Sequence, residues 1–212
     1  MKKWKVRYSY LPQQFKKIDH IITRVKNVVQ KGDFTLGKEL TIFEKRFASL
    51  IGTKYAVGVN SGTDAIKISL KAIGVKHGDE VITAANTFVA TVGAIIEIGA
   101  KPIFVDCDDT FCMNVDLVEK KITKKTKAII PVHLYGKSCD MEKIIKISKK
   151  HKLVIIEDCA QSQGAKFNGK FVGTFGSFGC FSFYPTKILG GYGDGGFILT
   201  NNFKLYSKIK KI

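Results

Sequence analysis

One lysine in the segment FSFYPTKILGGYGDGGFILT, residues 181–200, stands apart from the many other lysines of this chain. Lys187 is the only lysine between Lys170 and Lys204, a stretch in which the average composition predicts about five. Its neighbours are aromatic residues, small residues and glycines. Such surroundings lower the pKa of a lysine by desolvation, and an uncharged amine can attack a carbonyl carbon. Lys187 is therefore a candidate Schiff-base nucleophile.

The same segment contains a glycine pattern that competes with the lysine as the source of chemistry. Gly191, Gly193 and Gly196 spell G-x-G-x-x-G, the pattern of dinucleotide-binding turns. Such a turn follows a strand and begins a helix, and an acidic residue comes about 20 positions later. Here the glycines lead into the strand-like run 197–200, and no acidic residue follows them. The sequence predicts a tight turn that leads into a strand, and no dinucleotide site.

The segment VNSGTDAIKISLKAIG, residues 59–74, indicates an anion site at the start of a helix. A predicted strand ends here, a turn follows, and a helix is expected to begin near Asp64. The amides of a helix N-terminus, together with the helix dipole, attract a phosphate, and Gly62 would let it approach the backbone. An ordinary N-cap is the alternative, because Ser, Thr and Asp are all good capping residues.

The segment LVIIEDCAQSQGA, residues 153–165, places Asp158 at the carboxyl end of a buried strand. Open α/β sheets bind ligands at this edge, and a carboxylate there needs a cation or good hydrogen bonds. A protonated pyridine nitrogen would serve as such a partner. The alternative is a helix cap for the segment that follows. His133 and Cys159 are weak evidence for a metal-binding set, so no metal site is predicted.

Short apolar runs alternate with helical patterns between residues 55 and 200. Helices are expected at 63–73, 88–98, 115–122 and 140–150, and this alternation favours an α/β fold with a mostly parallel, seven-stranded sheet. The gap between the last two strands is too short for a crossover helix, so one of them is predicted to be antiparallel. The predicted strands are Tyr55–Val59, Glu80–Ala84, Lys101–Val105, Ala128–Val132, Leu153–Glu157, Gly179–Phe183 and Phe197–Thr200.

The composition and charge limit the classes of partner. The chain has 212 residues and a net charge of +17, which by itself would favour nucleic acid. Only three of its 35 cationic residues are arginines, whereas nucleic-acid binders use arginine for bidentate contacts. The lysines instead fit solvated helix faces. No apolar run reaches the ~18 residues of a membrane span. We expect neither nucleic acid nor a membrane as a partner, although a basic binding module stays an alternative.

The cysteines indicate the compartment. There are five, without a C-x-x-C pair, so neither a disulfide framework nor a zinc site is indicated. Several lie in apolar, strand-like runs, where cysteine acts as a small hydrophobic residue. This usage favours a cytoplasmic location.

Six segments together resemble the DegT/DnrJ/EryC1/StrS family of sugar aminotransferases, in the order that the family shows and from about Gly32 to Thr200. The family consists of fold-type-I enzymes that depend on pyridoxal 5′-phosphate (PLP). The resemblance therefore implies a three-layer α/β/α large domain. The segments are NSGTDAIKISL, TFVATVGAI, GAKPIFVD, VHLYG, IIEDCAQSQGA and GSFGCFSFYPTKILGGYGDGG.

The resemblance also implies roles for the site residues. Lys187 matches the lysine that binds PLP covalently, and Asp158 matches the carboxylate that pairs with the pyridinium nitrogen. Gln161 matches the glutamine beside the phenolic oxygen of the ring. Three further positions match the phosphate site: the backbone donors Gly62 and Thr63 and the hydroxyl of Ser182. Phe88 matches the aromatic residue that stacks on the ring.

The activity implied by the resemblance is transamination of a nucleotide-linked keto sugar by an amino-acid donor, usually glutamate, in amino-sugar and surface-polysaccharide biosynthesis. Family members are homodimers, and the partner subunit completes the phosphate site. A related branch has histidine in place of the lysine and dehydrates sugars, and Lys187 argues against that branch. A non-catalytic or regulatory PLP-fold protein is the alternative.

The resemblance implies a domain organisation as well. Residues 1–50 are expected to form an N-terminal arm and helices, and residues 51–212 the PLP-binding large domain. Family members continue into a smaller C-terminal domain, which this chain lacks. We therefore expect a C-terminally truncated protein, and the resemblance implies the activity of the longer parent protein without implying that this fragment is active by itself.

Overall fold

The computed structural model describes residues 10–212, and residues 1–9 of the predicted arm lie outside the described residues. Helices and strands alternate along most of the chain. The α-helices are α1 (Leu11–Gln14), α2 (Asp19–Lys31), α3 (Lys38–Ile51), α4 (Gly62–Ala72), α5 (Val89–Glu97), α6 (Met141–His151) and α7 (Phe203–Ile209). The strands are β1 (Tyr55–Val59), β2 (Glu80–Ala84), β3 (Lys101–Val105), β4 (Thr126–Ile130), β5 (Val154–Asp158), β6 (Lys166–Phe167), β7 (Lys170–Phe171), β8 (Phe178–Ser182) and β9 (Gly196–Thr200).

Seven of these strands form one sheet in the order β1-β9-β8-β5-β4-β2-β3. Strand β9 runs antiparallel to both of its neighbours, β1 and β8, and the other described pairs in this sheet are parallel. The predicted α/β fold, with seven strands of which one is antiparallel, is confirmed. The antiparallel strand, β9, is one of the two strands between which the prediction left the choice open, and the loop of 13 residues that joins them, 183–195, has no helix to carry it across the sheet.

Side chains that alternate along the central strands enter two separate hydrophobic cores. Val81 and Ile156 pack into one core with helices α4, α5 and α7, whereas the adjacent Ile82 and Ile155 pack into the other with helix α6. Because successive residues of a strand point to opposite faces, a run that is apolar at every position is buried on both sides. The result is three layers, with the sheet in the middle.

Two elements differ from the prediction. The helix expected at 115–122 is replaced by two short 3₁₀ turns, Val115–Leu117 and Glu119–Lys121. Val115 and Val118 are both buried, and a 3₁₀ turn brings residues three apart to the same side. A small hairpin of β6 and β7 was not predicted; each of its strands has only two residues, too few to show a period.

The chain divides into two compact units, Met1–Ile42 and Phe43–Ile212, and helix α3 begins in the first and ends in the second. The seven-stranded sheet belongs to the second unit. The predicted division into residues 1–50 and 51–212 stays a prediction. Within residues 10–212, none of the helices has both the length and the apolar character that spanning a membrane requires.

Candidate active site

The carboxyl ends of the parallel strands meet at one edge of the sheet, and the predicted site residues follow these ends. Gly62 comes three residues after β1, and Phe88 comes four residues after β2. Asp158 is the last residue of β5, and Ser182 is the last residue of β8. Because open α/β sheets bind ligands at this edge, the fold places residues far apart in sequence beside one candidate site.

Asp158 is a buried carboxylate that is held by hydrogen bonds on both oxygens. Its side chain accepts a hydrogen bond from the Thr91 hydroxyl at 2.7 Å and another from the Ala160 amide at 3.0 Å. Burial raises the pKa of Asp158 above its ordinary value of 3.8, while these hydrogen bonds and the charges of His133 and Lys187 act in the opposite direction. The carboxylate is thus poised for a cationic partner, which would replace lost hydration.

The alternative interpretation of Asp158 as a helix cap is wrong. The described chain has no helix between β5 and β6, so there is no helix for Asp158 to cap. Its hydrogen bond from the Ala160 amide instead closes a local turn of the kind that Asp side chains favour.

Lys187 lies on the loop 183–195, which joins β8 to β9 and which we call the lysine loop. Its Nζ atom is 5.8 Å from the centroid of the Phe88 ring. Lys187 is half-buried, and its charge lowers the pKa of the Asp158 carboxyl. Phe88 is 62% exposed, so most of its aromatic surface is open. The fold therefore brings the amine, the carboxylate and an uncovered aromatic ring to one place.

The start of helix α4 offers backbone donors beside Ser182. The Ser61 hydroxyl caps the helix by accepting a hydrogen bond from the Asp64 amide at 3.0 Å, and the Ser61 carbonyl accepts from the Ala65 amide. The amides of Gly62 and Thr63 belong to the first turn, where no carbonyl of the helix can reach them. The N-cap and anion-site interpretations are compatible, because the cap uses one amide and leaves two.

Gly62 and Gly196 are glycines because the backbone is crowded there. A Cβ atom on Gly62 would lie 2.8 Å from the Cβ of Ser182. A Cβ atom on Gly196 would collide with the carbonyl of Ser61. In the sheet, Gly196 pairs with Val59 on one side and with Ser182 on the other. The last glycine of the G-x-G-x-x-G pattern is the first residue of β9 and lets this strand pass against the start of α4.

Gln161 lies in the turn that follows Asp158 and is held by one hydrogen bond. Its Oε1 atom accepts from the backbone amide of Tyr135 at 3.0 Å. This contact orients the side-chain amide, so Nε2 is the end that can donate to an anionic oxygen. The structure records no direct contact between Gln161 and Lys187.

Sequence reasoning missed two residues that hold the site together. Thr91 donates to Asp158, and its hydroxyl is also 2.9 Å from that of Thr87. Gln163 bonds to Ser182 and to Leu189 in the lysine loop. Thr91 lies one helical turn after Phe88, which was the available signal for it. The sequence contained no such signal for Gln163, because its hydrogen-bond partners are backbone atoms of residues that are distant in sequence.

A second polar cluster lies next to the site, formed by His133, Glu157 and Cys159, whose ligand atoms lie within 4.8 Å of one another. Glu157 accepts hydrogen bonds from His133 and from three backbone amides in 173–176. The other ring nitrogen of His133 accepts from the Cys139 amide, and burial raises the pKa of the Cys159 thiol well above its ordinary value. These bonds occupy the lone pairs that a metal would need, and they favour a structural role.

The seven-stranded sheet with one antiparallel strand defines the class of protein by its fold, which is that of the fold-type-I aminotransferases among its structural neighbours. The model of the DegT/DnrJ/EryC1/StrS aminotransferase family matches residues 16–212. The chain belongs to that family. The resemblance stated from the sequence motifs is thereby confirmed.

Two relatives and one solved structure show how similar the chain is to known members. It is 50% identical over 95% of its length to the pleiotropic regulatory protein of Geobacillus stearothermophilus. It is 42% identical over 97% of its length to the dTDP-3-amino-3,4,6-trideoxy-alpha-D-glucose transaminase of Micromonospora megalomicea subsp. nigra. The crystal structure of ntda from Bacillus subtilis with bound cofactor PMP aligns with a TM-score of 0.90 and 38% identity, over 99% of this chain and 48% of the other. The chain spans 55% of the length of each of the two relatives, about half.

Proposed function

We propose that this chain forms the PLP-binding domain of an aminotransferase that transfers an amino group from an amino-acid donor to a nucleotide-linked keto sugar. The observation that carries the proposal is the meeting of Lys187, Phe88 and the buried Asp158 at one edge of the sheet. The name of the Micromonospora relative, a transaminase of a dTDP-linked amino sugar, supports the substrate class.

The residues at this edge fit the chemical groups of PLP. The amides of Gly62 and Thr63 and the hydroxyl of Ser182 would bind the phosphate, since a helix N-terminus favours an anion. Phe88 offers its open ring for stacking. The Nε2 group of Gln161 would donate to the phenolic oxygen. The PMP bound in the ntda structure, a form of the same cofactor, supports this choice.

In the proposed mechanism, Asp158 and Lys187 each control one proton: the proton on the ring nitrogen of the cofactor and the proton that moves during transamination. Bound PLP supplies an electron sink for the negative charge that develops at the reacting carbon. Asp158 would keep the ring nitrogen protonated by pairing its carboxylate with that charge. The Nζ amine of Lys187 would hold the cofactor and then, once released, accept and return the proton that moves during transamination.

A labelling experiment tests this proposal. Incubation with PLP, reduction with borohydride and peptide mapping should place the label on Lys187, and Lys187→Arg should abolish it. Lys170→Arg is the matched control, because Lys170 is exposed on the β6–β7 hairpin and should leave labelling unchanged. Label on another lysine in the unmodified protein would overturn the assignment.

The substrate is tested separately with glutamate and a panel of nucleotide-linked 3-keto and 4-keto sugars. We expect the protein to aminate at least one of them. Glutamate as the donor, a role in surface-polysaccharide synthesis, the homodimer and the cytoplasmic location all stay predictions.

A regulatory role is the second candidate, and one observation favours it. The Geobacillus relative, which is 50% identical, is named a pleiotropic regulatory protein. A full-length protein that is labelled at Lys187 but aminates no sugar of the panel would favour this candidate over the enzyme.

A further inference from the structure

Beyond Phe183, whose buried ring packs against Phe47 and Phe197, the lysine loop buries little apolar surface. Tyr184, Ile188, Leu189 and Tyr192 are all between 46% and 68% exposed. Backbone hydrogen bonds close the base of the loop, where Phe183 bonds to residues 191 and 195. Because little apolar surface is buried, the position of this loop depends on hydrogen bonds to the rest of the fold.

Gln163 supplies such bonds from the segment that follows Asp158. Its Nε2 atom donates to the carbonyl of Ser182 at 2.5 Å, and its Oε1 atom accepts from the amide of Leu189 at 3.0 Å. Ser182 precedes the loop, and Leu189 lies two residues after Lys187. One side chain therefore bridges the start of the loop and the turn that carries the amine.

We propose that Gln163 is a positioning residue that holds Lys187 in register with Asp158. The inference rests on the proposed function, since it concerns the lysine that binds the cofactor. Gln163 is anchored five residues after Asp158, so its two bonds connect the strand end that carries the acid to the loop that carries the amine. Each neutral hydrogen bond changes an equilibrium by about fivefold, so the loss of both should loosen the loop by about 25-fold.

Two substitutions separate the two bonds. Gln163→Met keeps the length of the side chain and removes both bonds. Gln163→Glu keeps an oxygen that can accept from the Leu189 amide but loses the donor to Ser182. Gln30→Met is the control, because Gln30 is an exposed residue of helix α2.

The first measurement is amide hydrogen exchange of the cofactor-free protein at Leu189. We expect exchange to be about 25-fold faster in Gln163→Met, about fivefold faster in Gln163→Glu, and unchanged in Gln30→Met. An unchanged rate in Gln163→Met would overturn the inference, because the bridge would not hold the loop.

The second measurement is the rate at which Lys187 captures PLP, followed by borohydride trapping. We expect capture about 25-fold slower in Gln163→Met and about fivefold slower in Gln163→Glu. A wild-type rate in Gln163→Met would overturn the inference while leaving the proposed function intact. If the unmodified protein is not labelled at Lys187, the proposed function fails and the role of Gln163 toward the cofactor fails with it, whatever the exchange data show for the loop.

Discussion

At the scale of single residues, the burial of Asp158 disfavours the ionised carboxylate that its proposed role requires. Burial disfavours the carboxylate and raises its pKa, while the Thr91 hydroxyl and the Ala160 amide stabilise it. A cation at this point would add to those two bonds. The carboxylate that burial makes costly to ionise is the one that a protonated ring nitrogen would stabilise.

This balance predicts a pH dependence of stability in the cofactor-free protein. The pKa of Asp158 is raised in the folded state, so the folded protein binds more protons than the unfolded chain between the two pKa values. Stability should therefore fall as pH rises above about 4, by at most about 1.4 kcal/mol for each pH unit, until the folded pKa is passed. Urea unfolding of Asp158→Asn should lack this part of the slope, whereas Asp194→Asn, at an exposed loop position, should retain it.

The same substitution predicts the effect on activity. Asp158→Asn should retain some cofactor, because the phosphate donors and Lys187 are unchanged, but it should lose most turnover, since the ring nitrogen is no longer held protonated. Single-turnover kinetics with the amino donor would measure the loss. Near-normal turnover would contradict the role given to Asp158.

At the scale of elements, the site depends on how closely β9 passes the start of α4. Gly196 pairs with Val59 and Ser182 and leaves no room for a side chain against the Ser61 carbonyl. This contact brings the uncapped amides of α4 beside the end of β8. Gly196, the last glycine of the pattern, thus contributes to the site through backbone packing.

Gly196→Ala should therefore destabilise the protein by about 1–3 kcal/mol, because the added methyl group meets backbone that cannot move aside. Gly193→Ala is the matched control in the same loop, since a Cβ atom there would have nothing within 4 Å. Urea unfolding of both variants checks this expectation. Equal stability of the two would show that the crowding at Gly196 is relieved by a small backbone shift.

At the scale of the whole molecule, a cluster of aromatic rings fastens the end of helix α3 to the sheet. The ring of Phe47 lies 5.1–5.3 Å from the rings of Phe181, Phe183 and Phe197. Phe43, one turn earlier, lies 4.6 Å from Phe197. These rings pack beneath β8 and β9, the two strands that carry the lysine loop between them.

Phe47→Ala should cost about 3–5 kcal/mol, since it removes a buried ring and leaves a cavity. Phe34→Ala, at a residue that is 70% exposed, should cost little. Thermal unfolding of the two variants gives the comparison. A small effect at Phe47 would mean that the remaining rings close the cavity.

The sequence by itself determined the class of fold and the candidates for the chemistry. Runs that are apolar at every position indicated buried parallel strands, and the short stretch between the last two required one antiparallel strand. Lys187 stood out because it is a single lysine in a long stretch without another, and Asp158 because it ends an apolar run. These signals are local, so they are visible in a linear chain.

Only the tertiary structure decided which of these candidate residues lie in the same site and which hydrogen bonds hold their side chains in position. The hydrogen bonds of Thr91 to Asp158 and of Gln163 to Leu189 join residues 67 and 26 positions apart. The choice between a cap and a ligand role for Asp158 depended on whether a helix follows it. Contacts between residues that are distant in sequence arise from strand order and packing, and no local pattern encodes them.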